Sequence, residues 1–441
     1  MTCSLPFWVN TCTLESVTSV DDAAPREVAA LTQLGLRELA AATRGVAKLH
    51  HAVSDCLFAV SDRVGGTSSR SAHLLHDTVT DATYGTVSSL FEAIANVGAA
   101  LPEPRRAPSQ SARGASVLGV LDGLIGDSLA EERSSLAQTM SVRDDGAPVP
   151  VRTESLRAAF PGATGHVVVF LHGLMESEFA WDRGERPSYG RRLTADIGAT
   201  EVRVRFNTGR HISDNGRELA ALLEALVLQW PVPVTRVTLV GHSMGGLVIR
   251  SACHAASAEG AYWCEVVTDT VALGTPHYGA PLARTVHMAT GILRCASVTS
   301  PLGNLLARRS AGVRDLFHGS LTDDDWSGRD PDAFRQQPAA AIPLLPRARH
   351  LFVTASLTRN PNHPVSRLIG DGLVLTPSGR GESRSRRVGF SIDHGLHLGG
   401  ANHFTLLNND DVYRWLREHL RPRLALPPGR GAQNAANTRI A

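Results

Sequence analysis

The sequence predicts an α/β architecture, a mostly parallel central sheet with helices on both faces, together with a separate helical N-terminal region. Three observations carry this. Short β-branched runs alternate with amphipathic helical runs from about residue 166 onward, and that alternation is the mark of βαβ units. The first 135 or so residues show helical spacing alone. A glycine-flanked serine falls at the junction between one predicted strand and the helix after it.

Taken in order, residues 1–20 carry little pattern and read as a disordered N-terminus. From 21 to 138 the chain reads as helical: Val28, Leu31, Leu39, Val46, Leu49 and Val53 recur at mostly helical spacing. Two more such stretches follow, at 74–98 (Val87, Leu90, Phe91, Ile94, Val97) and at 116–136 (Val117, Leu121, Leu124, Ile125, Leu129), separated by a Pro- and Arg-rich linker at 101–108. Near residue 140 the period changes, and Asp144-Asp145-Gly146 between extended runs at 140–143 and 148–153 is a hairpin signal. Strands are then predicted at 166–171, 201–206, 236–240 and 268–273, with helices at 189–197, 214–230 and 244–256. Right-handed crossovers place those helices on both faces of the sheet. Residues 279–346, rich in Gly, Pro, Ser and Arg with modest amphipathic pieces such as 302–306, read as a cap insertion. The sheet resumes at 350–355 and 388–392, a helix at 410–420 closes the catalytic domain (139–421), and 422–441 reads as a disordered tail.

Composition narrows the function. With 44 Lys and Arg against 42 Asp and Glu, no global field selects nucleic acid. Six scattered cysteines without CxxC spacing disfavour structural zinc and a disulfide-stapled module. No apolar run reaches the roughly 18 residues of a membrane span, and the start lacks a secretory pattern, so a cytoplasmic protein is the expectation.

The chemistry centres on Gly241-His242-Ser243-Met244-Gly245. Gly-x-Ser-x-Gly exposes a serine on a sharp strand-to-helix turn, where the glycines let the backbone pass closely. The pattern alone is weak, since roughly 0.3 matches arise by chance in this length. Here Val237-Thr238-Leu239-Val240 precedes it as a strand and Leu247-Val248-Ile249 follows as a helix, which is the context the motif demands. A serine that attacks a carbonyl needs oxyanion donors, and two backbone N–H groups present themselves. One belongs to Met244, at the positive end of its helix; the other belongs to Leu174, in the loop His172-Gly173-Leu174 after the strand 166–171.

The ordered set Phe170-Leu171-His172-Gly173-Leu174, Gly241-His242-Ser243-Met244-Gly245-Gly246 and Leu273-Gly274-Thr275-Pro276-His277-Tyr278-Gly279-Ala280-Pro281 resembles serine esterases and lipases of the α/β-hydrolase superfamily. It is particularly similar to the GPI inositol-deacylase-like branch and to bacterial triacylglycerol lipases. The likeness spans about residues 140–420. It implies an α/β-hydrolase fold, an acid after the penultimate strand and a general base after the last, in the order Ser, Asp or Glu, His. His403, just before the closing helix, resembles the family's catalytic histidine; His397 is the alternative, and His394 shares the same segment. Asp371, in Ile369-Gly370-Asp371-Gly372-Leu373-Val374, resembles the acid's Asp-Gly-x-Val segment, against the plainer reading of a solvated turn aspartate. Asp323-Asp324-Asp325 reads as a solvated cluster, Asp393 sits too close to its strand, and His242 reads as a packing residue pointing away from Ser243.

The resemblance thus implies hydrolysis of lipid-like or other apolar acyl esters through Ser243, His403 and Asp371, with no metal or organic cofactor. Acyl transfer, thioester or amide cleavage share the acyl-enzyme step and stay open; a non-catalytic helical scaffold is the reading from another class. The expected partner is a small-molecule or lipid ester. The apolar faces of the N-terminal helices could meet the catalytic domain, a second protomer or, peripherally, a membrane surface. The basic run at 379–387 reads as a solvated loop, and His277 as a residue shaping the cap entrance.

Overall fold

The computed structural model describes residues 26, 27, 30, 107–279, 310–329, 339–360, 363–383 and 386–421. The periodic stretches at 31–53 and 74–98, most of the cap insertion with its piece at 302–306, and both termini (1–20 and 422–441) lie outside the described residues.

An eight-stranded sheet organises the chain, built from β1 (Ser141–Asp144), β2 (Ala147–Val149), β3 (His166–Leu171), β4 (Thr200–Arg205), β5 (Arg236–His242), β6 (Val267–Leu273), β7 (Arg349–Ser356) and β8 (Gly395–Gly399). Its order is β2-β1-β4-β3-β5-β6-β7-β8. Pairing is antiparallel from β2 through β1 to β4 and parallel from β4 to β8. The hairpin joining β1 and β2 turns through Asp145 and Gly146, both at positive φ (43° and 80°), as a two-residue turn matched to strand twist requires.

The helices are α1 (Ala112–Glu131), α2 (Thr153–Ala159), α3 (Tyr189–Ile197), α4 (Ile212–Gln229), α5 (Met244–Glu259), α6 (Trp263–Val266), α7 (Ala311–His318), α8 (Pro364–Ile369), α9 (Thr376–Gly379) and α10 (Asp410–Leu420). Local chemistry sets several ends. Ser188 accepts from Arg191 N–H to start α3, and Gly198 at φ 67° stops it. Asn409 caps α10, which carries Asp410 and Asp411 in its first turn and Arg417 and His419 in its last, each charge at the end of the dipole that favours it.

Alternation along β3 divides the core between two faces. Val167, Val169 and Leu171 pack with Leu219 and Leu223 of α4 and Leu247, Val248 and Ala252 of α5. Val168 and Phe170 pack with Tyr189 and Leu193 of α3 and Val412 and Leu416 of α10. Both faces of a strand are therefore buried, which is why the strands read as continuous apolar runs. The parallel register brings the carboxyl ends of β3, β5, β6, β7 and β8 to one edge, the edge where open α/β sheets bind ligands.

The last strand corrects the sequence expectation. Residues 388–392 form no strand; β8 is Gly395–Gly399. Phe390 instead lays its ring over Phe352 of β7 (centroids 5.6 Å apart, 24° between planes), and Ile392 is exposed. The apolar content that suggested a strand thus covers the sheet without pairing in it. The aspartate run is a second correction. Asp325 is buried and accepts from the N–H groups of Leu321, Thr322 and Ala340, while Asp323 accepts from Ser213 and Arg217. Asp325 and Asp323 thus tie the segment after α7, while Asp324 between them is exposed.

Candidate active site

Ser243 is the residue between β5 and α5, with φ 51° and ψ −118°. Few L-residues adopt such a backbone, and it costs about 1–3 kcal/mol unless the surroundings enforce it. They do: Ser243 N–H donates to Leu273 O at the end of β6 (2.8 Å). A Cβ on Gly241 would sit 2.4 Å from Gly246 N, and one on Gly245 would sit 2.6 Å from the Leu171 and His172 carbonyl oxygens. The elbow therefore requires its glycines, as the motif implied.

Asp371 and His403 come together 32 residues apart in sequence. His403 Nδ1 lies 2.8 Å from Asp371 Oδ2, and the other carboxylate oxygen accepts Val374 N–H (2.7 Å) and Leu373 N–H (3.0 Å). Flanking Gly370 and Gly372 take positive φ (60° and 103°), producing the tight loop that turns the carboxylate inward. His403 N–H also donates to Asp371 O at 3.0 Å. Both side chains are buried. An ionised carboxylate only accepts, so Nδ1 carries the proton and Nε2 is left as the free base. That Nε2 is buried without a hydrogen-bond partner. The hydrogen bond between Ser243 and His403 is thus not formed in this conformation; in unliganded enzymes such bonds are often long or misaligned and tighten with substrate bound. Burial pushes the His403 imidazole down, but the Asp371 carboxylate beside it and then Glu176 outweigh burial, so its pKa is raised.

The N–H groups expected as oxyanion donors are unengaged: neither Leu174 nor Met244 donates its backbone N–H to any group of the described residues. Their loop is anchored by His172, fully buried, whose Nδ1 lies 2.9 Å from Gly173 O while Nε2 receives Phe206 N–H (3.2 Å). One nitrogen gives and the other accepts, so the ring is neutral, in keeping with the burial that pushes it down to about 4.

His397 is not in the site. It lies within β8, with Nδ1 on Thr354 Oγ1 (2.9 Å) and Nε2 on Ser356 Oγ (3.1 Å). Asp393 is exposed. His277 is buried edge-on to Phe390 with Nδ1 3.4 Å from an Arg250 nitrogen, and burial pushes its pKa down. Among the described residues no group of three or more His, Cys, Asp or Glu could hold a metal ion, and no helix is long and apolar enough to cross a membrane.

Two participants escape sequence reasoning. One is Glu176, which pairs with His242 beside Ser243 across 66 residues of sequence, a distance no local pattern spans. The other is α1. Its glycines press on the loop after β3: a Cβ on Gly119 would sit 2.6 Å from Glu176 O, and one on Gly123 would meet the Met175 side chain at 2.3 Å. Their spacing along α1 was the available signal.

A PGAP1-like alpha/beta domain family model matches residues 200–296, a span that includes the elbow. That span is under a quarter of the chain, so the strand order and the elbow after β5 carry the assignment. They are those of the α/β-hydrolase fold. Solved structures similar to this chain include a Bacillus licheniformis lipase, BlEst2, in its mature form (19% identity, 58% of this chain and 92% of that one, TM-score 0.38). Others are an Aspergillus fumigatus lipase B (15%, 60% and 57%, 0.35) and the naproxen esterase of Bacillus subtilis (13%, 58% and 84%, 0.31). No curated protein matches the chain.

Proposed function

We propose that the chain is a serine carboxylic-ester hydrolase acting on lipid-like or other apolar acyl esters. The observation that supports this is the pairing of Asp371 with His403 Nδ1, which leaves Nε2 unprotonated and unpartnered, with the His403 ring 4.7 Å from that of His242, the residue before the serine on the strained elbow. In this reading Nε2 of His403 takes the hydroxyl proton as Ser243 Oγ attacks the ester carbonyl. Asp371 keeps the imidazole in the useful tautomer and stabilises the imidazolium. The Leu174 and Met244 N–H groups receive the oxyanion; removing one such donor typically costs about 100- to 1000-fold in kcat. The proton passes to the leaving alkoxide, and water, activated by the same histidine, releases the acid and restores Ser243.

The test is hydrolysis of short-chain nitrophenyl esters together with labelling by a fluorophosphonate probe. Wild type is expected to do both and Ser243→Ala neither. A wild-type protein that takes no label and cleaves no ester would end this reading. Product analysis with alcohol, amine and thiol acceptors separates hydrolysis from acyl transfer.

A further inference from the structure

Three side chains converge on one glycine. A Cβ on Gly173 would lie 2.8 Å from Glu176 Oε2, 3.0 Å from His242 Nδ1 and 3.1 Å from Ser243 Cβ, so the oxyanion loop and the elbow meet at a point with no room for a side chain. Glu176 Oε2 accepts Gly173 N–H at 2.7 Å and lies 2.9 Å from His242 Nδ1. On the far side of the ring, His242 Nε2 lies 3.4 Å from His403 O, and the two imidazoles are 4.7 Å apart. Burial pushes the Glu176 carboxyl up, yet the adjoining His242 ring and Gly173 N–H more than offset this and hold it at about 2. Glu176 is thus a carboxylate, accepting only, and His242 Nδ1 carries the proton between them. One set of contacts therefore runs from the loop after β3 through Glu176 and His242 to the imidazole of His403, packed against the His242 ring.

We propose that Glu176 is a positioning residue of this site, fixing through Gly173 N–H the turn that presents Leu174 N–H, and fixing through His242 Nδ1 the ring that packs against the His403 imidazole. The inference rests on the reading of Ser243 as nucleophile. Glu176 acts on the geometry of groups that meet the transition state, so its loss falls on kcat; a donor or base displaced by about an ångström can cost on the order of 100-fold. A glutamate that merely stabilised the loop would show its loss in unfolding.

Glu176→Gln keeps the shape and removes the charge. On a short-chain nitrophenyl ester it is expected to lower kcat about 10- to 100-fold, slow fluorophosphonate labelling in proportion, and leave KM within about threefold and the thermal midpoint within a few degrees. A kcat within twofold of wild type, a loss confined to KM, or a loss that tracks a fallen thermal midpoint would each overturn the proposal. A second readout needs no turnover. In the unliganded full chain with 15N-labelled histidine, the strongly hydrogen-bonded Nδ1–H of His242 should be present in wild type and shifted upfield in Glu176→Gln, whose neutral amide oxygen accepts less strongly than a carboxylate. An unchanged histidine spectrum overturns the proposal, whereas a wild type that is inert to probe and ester yet shows that resonance overturns only the nucleophile reading.

Discussion

Backbone strain at Ser243 separates what its hydroxyl does from what its conformation costs. Ser243→Ala and Ser243→Gly both remove the nucleophile, but only glycine relieves a φ of 51°. Ser243→Gly should therefore unfold at a higher temperature than Ser243→Ala, by an amount equivalent to about 1–2 kcal/mol; equal midpoints in calorimetry would deny the strain. The histidine carries the pH dependence. Asp371, then Glu176, raises the His403 pKa despite burial, so the proton-accepting form prevails only above the ordinary imidazole value of about 6.5. Activity should fall as pH drops through that raised value, giving kcat/KM an acid limb centred above about 6.5. Asp371→Asn, which no longer fixes the tautomer, should lower kcat on the order of 10,000-fold. Ser243 was legible as a candidate from the glycines of an elbow between a strand and a helix, whereas Asp371 and His403 entered as candidates through the family resemblance, on the glycines around the aspartate and the closing helix after the histidine. Glu176 and His242 were not legible. Their roles come from a contact between two loops, and His242 alone reads as an ordinary packed residue.

Among elements, β3, α3 and α10 fall where the sequence places them, because alternation or helical spacing is closed there by residues with a stereochemical reason to stop, such as Gly198 or Asn409. The exchange of 388–392 for Gly395–Gly399 has the opposite cause: the true strand begins and ends in glycine and carries His397 between two leucines, while the more apolar run covers a phenylalanine. The contact of α1 with the loop after β3 shows only when both are folded, and it is testable. Gly119→Ala would place a methyl 2.6 Å from Glu176 O, so helix or loop must give way. Overpacking of this kind costs about 1–3 kcal/mol. Denaturant unfolding should show that loss, with slower labelling of Ser243; unchanged stability and labelling would mean that α1 does not support the site.

Across the whole molecule, the segments before β1 are joined to the sheet through buried polar contacts centred on Arg205. Arg205 on β4 holds Glu178 by two hydrogen bonds (2.6 and 2.5 Å), both side chains 2% exposed, and its remaining nitrogen donates to Ser109 O and Gln138 Oε1. Ser109 in turn donates N–H and Oγ to Glu27. Further bonds run from Asn207 Nδ2 to Gly126 O and from Ser310 Oγ to Gly123 O. The sequence divided the chain at 138 and 139, yet across that line the two parts share buried polar partners that composition could not reveal. Glu178→Ala leaves Arg205 buried without its counter-charge, and breaking such a pair costs about 3–5 kcal/mol; chemical denaturation should show it, and a loss below about 1 kcal/mol would contradict the joint. The central claim, that Ser243 is the nucleophile activated by His403, is tested most directly by mapping the fluorophosphonate adduct on the full chain by peptide mass spectrometry. One adduct is expected, on the peptide containing Ser243, absent from Ser243→Ala and formed at least 1000-fold more slowly in His403→Ala. An adduct on any other residue, or labelling of Ser243 at an unchanged rate in His403→Ala, would contradict it.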